Sequence, residues 1–470
     1  MTDNNIWKWS AKKTANAVKN KMISATDSIK SSLKRLDEVN PSVNAVVVPL
    51  KDEALNKARQ IDKKIKNNEK LGSLAGVPIT IKENVDVKNQ STTNGMEVFK
   101  DIIAPENSPV VQNLIDEDGI IIGRTNTPEI SYRWFTDNPL RGLTKNPWSE
   151  DITPGGSSGG AAASVALGIG DIAHGNDVGG SIRYPAYACG VVGIKPGLGC
   201  VPAYNPSAVK ERGIALQLMS VQGPHAREVE DLRLALKAMS SKGNGDPWWT
   251  PLKLSQPNKR PINIAVNKWC GNTKCHKDVE ASIEIAASIF TNRGFNVVEK
   301  TPPEINLAAE SWRIIFGIDA KLNMLDLVKK SGSEDIINVV QGFVDEASGK
   351  GINEFNEALS ARNKVLRSWN NFMNDFPIII SPVSALPPYK QGEDQLGKNR
   401  FKNILEEQSP LYVINFLGLP SVSVPINVKN NIPSGIQIIG PRYFENLALD
   451  MAKIIEDEIG VFYKKLWNNL

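Results

Sequence analysis

The stretch that most constrains this chain is residues 153–199, which contains two serine sites enclosed by glycines. The first site is Gly-Gly-Ser-Ser-Gly-Gly at 155–160, and the second is Asp-Val-Gly-Gly-Ser at 177–181. Glycines beside a serine let the backbone bend sharply or approach another group closely. The alanine-rich segment between the two sites favours a helix. Two such sites in one supersecondary unit predict a reaction centre that is built largely from main chain.

Two well-known motifs do not account for this stretch. Residues 156–160 fit Gly-x-Ser-x-Gly with Ser158 at the centre, but no buried strand precedes them, as a nucleophile elbow requires. None of the three histidines has the place in the chain that this motif needs: His174, His225 and His276. A phosphate-binding loop is excluded because alanines follow the second glycine pair where Lys and Ser or Thr are needed.

A serine hydrolase without a suitable histidine needs another base, and a neutral lysine can serve. Residues 76–82 alternate apolar and polar side chains, so Lys82 lies at the end of a predicted strand. Burial lowers the pKa of a lysine from its ordinary value of ~10.4. The run from Val178 to Ser181 then offers a nucleophile and consecutive backbone N–H groups. Each such donor stabilises a developing oxyanion by about 2.7–4 kcal/mol.

The composition is that of a soluble globular protein, since 41% of the 470 residues are hydrophobic and 23% are charged. The 55 basic and 51 acidic residues are spread along the chain, so we expect no nucleic-acid surface. No run reaches the ~18 apolar residues of a membrane span, and no apolar signal core opens the chain. We therefore expect a cytoplasmic protein that does not bind membranes.

The four cysteines are too few for a disulfide scaffold in a chain of this length. Cys270, Cys275 and His276 lie close together, but no second pair of ligands completes a metal site, so we expect none. Cys189 and Cys200 are interpreted as small core residues.

The order of predicted elements indicates an α/β fold with a mixed central sheet. A strand at 76–82, a helix that starts at Ser108-Pro109 and a strand from Ile120 form a crossover of the parallel type. Helices in residues 1–70 are expected to wrap the core, with the second helix capped by Thr26 or Asp27. Residues 340–375 are predicted to form one charged helix. No linker or repeat interrupts the chain, which favours one large unit across 1–470.

The long segment 124–152 is polar and aromatic without a period, as in functional loops of compact domains. We expect its aromatic side chains to anchor the loop or to line an entrance: Tyr132, Trp134 and Phe135. Trp312 and Phe316 are further candidates for a hydrophobic pocket beside Trp134.

These residues and motifs resemble those of the amidase signature family, the Ser–cis-Ser–Lys amidohydrolases. The resemblance covers most of the length. It rests on GVPITIKENVDV at 76–87, RTNTPE at 124–129, the whole of 153–197, and the GLPSVSVP and PSGIQIIGPR stretches near the C-terminus. It implies the amidase-signature fold, a single α/β/α unit whose core spans 76–200 and whose C-terminal half, 201–470, completes the sheet and the pocket.

The resemblance also assigns the site residues. It implies that Lys82 is the base, that Ser157 is a bridging serine after a cis peptide bond, and that Ser181 is the nucleophile. The oxyanion would be bound by the backbone amides of four consecutive residues: Val178, Gly179, Gly180 and Ser181. Supporting roles fall on Ser158, Asp177 and Arg183, and Arg183 is also a candidate contact to a polar acyl group.

Three positions depart from the commoner family pattern. They are Asn176 before the aspartate, Glu83 after the lysine, and Asn94 before Gly95. None of these departures removes a group that the chemistry needs, but they leave open how the outer hydrogen bonds are made.

The predicted function is hydrolysis of a carboxylic amide to the acid and ammonia or an amine, through an acyl-enzyme on Ser181. It needs no cofactor or metal, and its partner is a small-molecule amide. Two alternatives stay open: the glutaminase component of a tRNA-dependent amidotransferase, and a non-catalytic binding module. The sequence leaves the oligomeric state open, although a homodimer would be ordinary for a soluble enzyme.

Overall fold

One mixed sheet runs through this protein, whose computed structural model describes residues 5–251 and 262–468. Its strands are β1 (Val46–Pro49), β2 (Pro78–Lys82), β3 (Ile120–Thr125), β4 (Ile172–Asp177), β5 (Val192–Lys195), β6 (Val221–Ala226), β7 (Asn263–Val266), β8 (Asn296–Glu299), β9 (Ile378–Pro382), β10 (Ser421–Lys429) and β11 (Ile432–Ile439). Their order across the sheet is β1-β3-β2-β4-β6-β5-β10-β11-β9-β7-β8. Strands from both halves of the chain therefore join in a single layer.

The sheet mixes parallel and antiparallel pairs. Strand β2 lies parallel to both β3 and β4, and β7 lies parallel to both β8 and β9. The remaining neighbours, including β4 with β6 and β10 with β11, are antiparallel. The predicted α/β class with a mixed central sheet is confirmed.

Helices cover both faces of the sheet. They are α1 (Ala11–Lys19), α2 (Ala25–Val43), α3 (Lys51–Lys66), α4 (Pro109–Asp116), α5 (Gly159–Ala166), α6 (Arg183–Cys189), α7 (Ile214–Met219), α8 (Val229–Met239), α9 (Lys277–Asn292), α10 (Ile305–Asn323), α11 (Leu325–Ser331), α12 (Glu334–Glu346), α13 (Ile352–Asp375), α14 (Lys398–Glu407), α15 (Ser409–Leu417), α16 (Glu445–Ile459) and α17 (Tyr463–Trp467). Among the described residues, none of these helices combines the length and the apolarity that crossing a bilayer needs.

The alternation of strand side chains separates two faces. Ile79 and Ile81 of β2 pack in one core with α4, α8, α9 and α16. The intervening Thr80 faces the other side, where its hydroxyl lies 3.2 Å from that of Ser164 on α5. Because side chains alternate along a strand, Lys82 points to the same side as Thr80. The predicted strand thus delivers its lysine to the face that carries the two serine sites.

Two predictions about helices are wrong. Helix α2 is capped by Ser24, which forms a capping box with Asp27 as its third residue, and the helix continues through Pro41 to Val43. The predicted single helix over 340–375 is two helices, because α12 ends at Glu346 and α13 begins at Ile352. Between them Gly349 has a φ of 74°, a left-handed conformation that ends a helix and that glycine adopts without strain.

The cysteines divide into two kinds. Cys189 and Cys200 are buried in the core, as predicted. Cys270 and Cys275 are joined by a disulfide bond within a short loop. The largely apolar run Pro261–Val266 predicts a strand from the sequence; β7 covers Asn263–Val266 of it, and Pro261 lies outside the described residues.

Arg227 joins the N-terminal segment to the sheet. Its buried guanidinium pairs with Asp171 at 2.8 Å and donates to the carbonyl oxygens of Trp9 and Gly170. Removing one partner of a buried ion pair leaves an uncompensated charge, which costs about 3–5 kcal/mol.

We therefore expect Arg227→Ala to lower the free energy of unfolding by about 3–5 kcal/mol, measured by chemical denaturation. The matched control is Arg233→Ala on α8, because Arg233 pairs with Glu230 and Asp450 near the surface. That change should cost about 1 kcal/mol or less. Equal losses in the two variants would contradict this assignment.

Candidate active site

Lys82 is fully buried at the C-terminal end of β2, between the two serine sites. Its Nζ lies 2.7 Å from Ser157 Oγ and 3.1 Å from Ser158 Oγ, and it donates to Asn176 Oδ1 at 2.7 Å. A neutral amine donates two hydrogen bonds and accepts one. Because the Ser158 hydroxyl donates to Asn176 O at 3.4 Å, an uncharged Lys82 can donate to Ser158 Oγ and Asn176 Oδ1 and accept from Ser157 Oγ.

Burial sets the ionisation of this amine. Desolvation lowers the pKa of Lys82 well below its usual 10.5, and the carboxylate of Asp177 opposes that shift more weakly. The neighbouring imidazoles add no base, because burial lowers the pKa of His174 to about 3 and that of His225 to about 4. Of these three buried groups, Lys82 is the one whose lowered pKa suits a general base.

Ser157 and Ser158 lie in a tight turn before α5. The peptide bond from Gly156 to Ser157 is cis, as the family resemblance implies. A side chain on Gly156 would meet the backbone of residues 133–135 at about 2.4–2.6 Å, so only glycine fits against that loop. The turn therefore depends on the 124–152 loop, which holds it against Lys82.

Ser181 follows β4 in the loop that leads into α6. It is 6% exposed, and its carbonyl oxygen accepts a hydrogen bond from Ser158 N at 3.3 Å. Within residues 5–251 and 262–468, no side-chain hydrogen bond joins Ser157 to Ser181. Catalytic hydrogen bonds are often long in enzymes without substrate and shorten in the complex.

Asp177 and Arg183 form a buried ion pair at 3.0 Å that holds this loop. The Asp177 carboxylate also accepts from the N–H groups of Gly180 and Ile182. Although burial acts to raise it, the pKa of Asp177 is lowered, because the Arg183 guanidinium stabilises the carboxylate. The remaining donors of Arg183 reach Gln437, Asn415 and the carbonyl oxygen of Leu411. Its donors are thus engaged inside the protein, which favours a supporting role over contact with a substrate.

Two tryptophans fix the peptides of the glycine loop. Trp134 Nε1 donates to Gly179 O at 2.9 Å, and Trp312 Nε1 donates to Val178 O at 3.2 Å. Since the N–H and C=O of a trans peptide point in opposite directions, these bonds orient the following N–H groups away from the indoles. The Gly179 N–H is thereby directed away from Trp312. The Gly180 N–H, which was predicted to bind the oxyanion, instead donates to Asp177 at 2.7 Å.

The sequence suggested only a loop anchor or an apolar lining for Trp134 and Trp312. The structure shows that both indoles also donate hydrogen bonds, a role that needs tryptophan and that composition does not reveal. Phe316 stacks on Trp312 with ring centroids 4.5 Å apart. Tyr132 and Phe135 are buried in the same aromatic region.

The three departures from the family pattern lie in hydrogen bonds around the site. Asn176 is a direct partner of Lys82, a contact that its place before Asp177 could have suggested. Buried Glu83 pairs with Arg141 at 2.5 Å. Asn94 Oδ1 accepts from Ser131 at 2.7 Å. Each departure is therefore satisfied by a partner within the fold.

The sequence profile of the Amidase family matches residues 27–449 of this chain. The chain is 43% identical over 467 residues to an indoleacetamide hydrolase of Bradyrhizobium diazoefficiens, covering 99% of this chain and 89% of that protein. It is 30% identical over 469 residues to the A component of the glutamyl-tRNA(Gln) amidotransferase of Clostridium botulinum, covering 93% and 94% of the two chains. The crystal structure of a bacterial aryl acylamidase matches with a TM-score of 0.85 and 27% identity over 99% of each chain.

The chain belongs to the amidase signature family. It is an amidase, a hydrolase that acts on amide C–N bonds. These findings argue against the non-catalytic module, and the lower similarity to the amidotransferase component favours the hydrolase over that alternative.

The indole hydrogen bonds to the loop yield a prediction. Trp312→Phe keeps an aromatic ring but removes the donor that orients the peptide carrying the Gly179 N–H, so it should lower kcat for amide hydrolysis about tenfold, part of the effect of losing an oxyanion donor. Trp134→Phe should lower kcat less, because the peptide it orients carries the Gly180 N–H, which donates to Asp177. Trp148→Phe is the matched control, because the Trp148 indole donates to Cys189 O, away from the loop. Steady-state kinetics tests this, and an equal loss in the Trp148 variant would show that the effect is not specific to the loop.

Proposed function

We propose that this amidase hydrolyses arylacetamides of the indole-3-acetamide type to the arylacetic acid and ammonia. The observation that carries the proposal is an aromatic wall beside the Ser181 loop: Trp134, Trp312, Phe316, Phe343 and Tyr412. Trp312 stacks between Phe316 and Tyr412, with centroid distances of 4.5 and 4.4 Å. The faces of Trp312 are therefore covered by protein rings, and the apolar edges of this wall suit a flat aromatic acyl group. The similarity to an indoleacetamide hydrolase supports the same substrate class.

In this proposal Ser181 is the nucleophile. Its Oγ attacks the amide carbon while its proton passes to Ser157 Oγ, and the Ser157 proton passes to the neutral Nζ of Lys82. The oxyanion is bound by the N–H groups of Val178, Gly179 and Ser181, while the N–H of Gly180 stays on Asp177. Ser158 and Asn176 hold Lys82 in line, which keeps the amine directed at Ser157.

Collapse of the tetrahedral intermediate breaks the C–N bond. The proton held by Lys82 returns through Ser157 to the leaving nitrogen, which departs as ammonia, and the acyl group stays on Ser181 as an ester. A water molecule then attacks this ester, gives a proton to the same relay, and releases the carboxylic acid with Ser181 restored. The protons balance, because each one that Lys82 accepts is returned within the same half-reaction.

We propose a cytoplasmic homodimer that acts without nucleic acid, and a single structural unit across residues 1–470. The one sheet, in which strands of both halves are joined, supports the single unit.

Ammonia release from indole-3-acetamide tests the proposed reaction. Ser181→Ala should lower kcat by about 10⁴-fold or more, since loss of a nucleophile removes the covalent route. Ser164→Ala is the matched control, because Ser164 is also buried, on α5, but its hydroxyl bonds Thr80 and Ala161. Turnover that persists in Ser181→Ala would contradict the assignment. Ammonia released from glutamine alone, and only with partner proteins present, would support the amidotransferase component instead.

The pH dependence of kcat/KM tests the base. Rates should rise with pH as Lys82 loses its proton, with a midpoint well below the ordinary 10.5 because burial lowers this pKa. Lys195 is the matched control: burial lowers its pKa to about 7, and its Nζ donates to Pro196 O rather than to the site. Lys195→Met should leave the rising limb in place. A limb centred near 10.5 would contradict a desolvated base, and loss of the limb in Lys195→Met would show that the limb belongs to Lys195.

A further inference from the structure

Two buried polar groups near the aromatic wall lack hydrogen-bond partners. Oδ2 of Asp319 accepts no hydrogen bond and the hydroxyl of Tyr132 makes none, among the residues that the structure describes. Their residues are only 3% and 7% exposed. The two groups lie within electrostatic reach of one another, because the Asp319 charge contributes to raising the pKa of Tyr132, after burial itself. Buried polar groups are almost always paired, so these two call for a ligand.

The helix α10 connects these groups with the proposed reaction centre. Trp312, Phe316 and Asp319 are spaced four and three residues apart, which places them along one face of the helix. Trp312 holds the Val178 carbonyl at one end. Phe316 stacks on Trp312 and lies 5.0 Å from the Tyr132 ring, centroid to centroid. Trp312 and Phe316 thus form an aromatic column along this face of α10, and Asp319 lies at the end of the column that is farther from Val178.

The length of this column suits an aromatic acyl group. Seven residues of α-helix rise about 10 Å, from the tryptophan at the Ser181 loop to the aspartate. A bicyclic ring on a methylene arm, together with the aspartate side chain, spans such a distance. The polar edge of the ring then lies at Asp319, and the ring itself lies beside the edges of Trp312 and Phe316.

The electrostatics favour a neutral donor over a cation. Oδ1 of Asp319 accepts a long hydrogen bond of 3.4 Å from Ala215 N, and the side chain of Asn323 also stabilises the carboxylate. Burial raises the pKa of Asp319, and Lys210 opposes the shift from nearby. Lys210 also donates to Asn323, one helical turn beyond the aspartate. A positive charge already accompanies the carboxylate, so a cationic ligand would be repelled where an uncharged N–H is not.

We propose that Asp319 is a specificity residue whose Oδ2 accepts a hydrogen bond from a ring N–H of the substrate, as in the indole of an indole-3-acetamide. Tyr132 flanks the same ring edge, where its hydroxyl is the second polar group without a partner. This inference rests on the proposed function, and it adds the prediction that the enzyme distinguishes aryl groups by a single N–H.

The test compares indole-3-acetamide with benzofuran-3-acetamide, which has the same shape but an oxygen in place of the N–H. The wild-type enzyme should prefer the indole by about 10- to 100-fold in kcat/KM, as for loss of a hydrogen bond to a charged acceptor. Asp319→Leu removes the acceptor and should bring this preference close to one. Asp319→Asn keeps a neutral acceptor and should leave an intermediate preference.

The preference is a ratio measured on one preparation, so partial unfolding of a variant does not change it. Asp326→Asn is the matched control, an exposed aspartate on α11, and it should keep the wild-type ratio. Equal rates on the two amides in the wild type, or an unchanged ratio in Asp319→Leu, would overturn the inference while the proposed function stands. If the wild type hydrolyses neither amide, the proposed substrate class and the inference both fall.

Discussion

The arrangement of the site depends on the burial of the Lys82 side chain, which favours the uncharged form of its amine. An ammonium group loses much more by burial than an amine does, so a fully buried lysine without a carboxylate partner favours its neutral form. Asp177 is the charge that could offset this, but it is committed to Arg183 and to loop amides. The neighbours that do touch Lys82 Nζ are uncharged oxygens of Ser157, Ser158 and Asn176. The fold thus leaves Lys82 without a counterion of its own, as the proposed role of this amine as a base requires.

The surrounding structure serves to keep that amine and the nucleophile loop in register. Strand β2 lies between two parallel neighbours, so its last residue has little freedom. The Asp177–Arg183 pair connects the Ser181 loop to α15 and β11 through Asn415 and Gln437. Trp134 and Trp312 reach the same loop from the 124–152 loop and from α10. Segments distant in sequence therefore converge on a few peptides, which is what a preorganised oxyanion site needs.

The sequence predicted the parts of this site that depend on local pattern. Alternation in 76–82 predicted a strand that ends at Lys82, and glycines predicted the turns at Ser157 and Ser181. The family resemblance added the cis peptide and the assignment of roles. What the sequence could not show was the long-range partners: the indole donors, the contact of Asn176 with Lys82, and the unpaired Oδ2 of Asp319. These depend on how distant segments pack, which short-range pattern does not encode. The prediction of a single helix over 340–375 was wrong for a local reason. The helical pattern on both sides outweighed the signal of Gly349 and Gly351, which separate the two helices.

The most direct measurement of the central claim is the ionisation of Lys82 itself. NMR of protein labelled with ¹³C at the lysine Cε positions reports each amine, and a Lys82→Met variant assigns the signal by its disappearance. The account predicts a Lys82 signal with the shift of a neutral amine at a pH well below 10.5. A signal that stays in the ammonium form until about the ordinary lysine pKa of ~10.4 would contradict it.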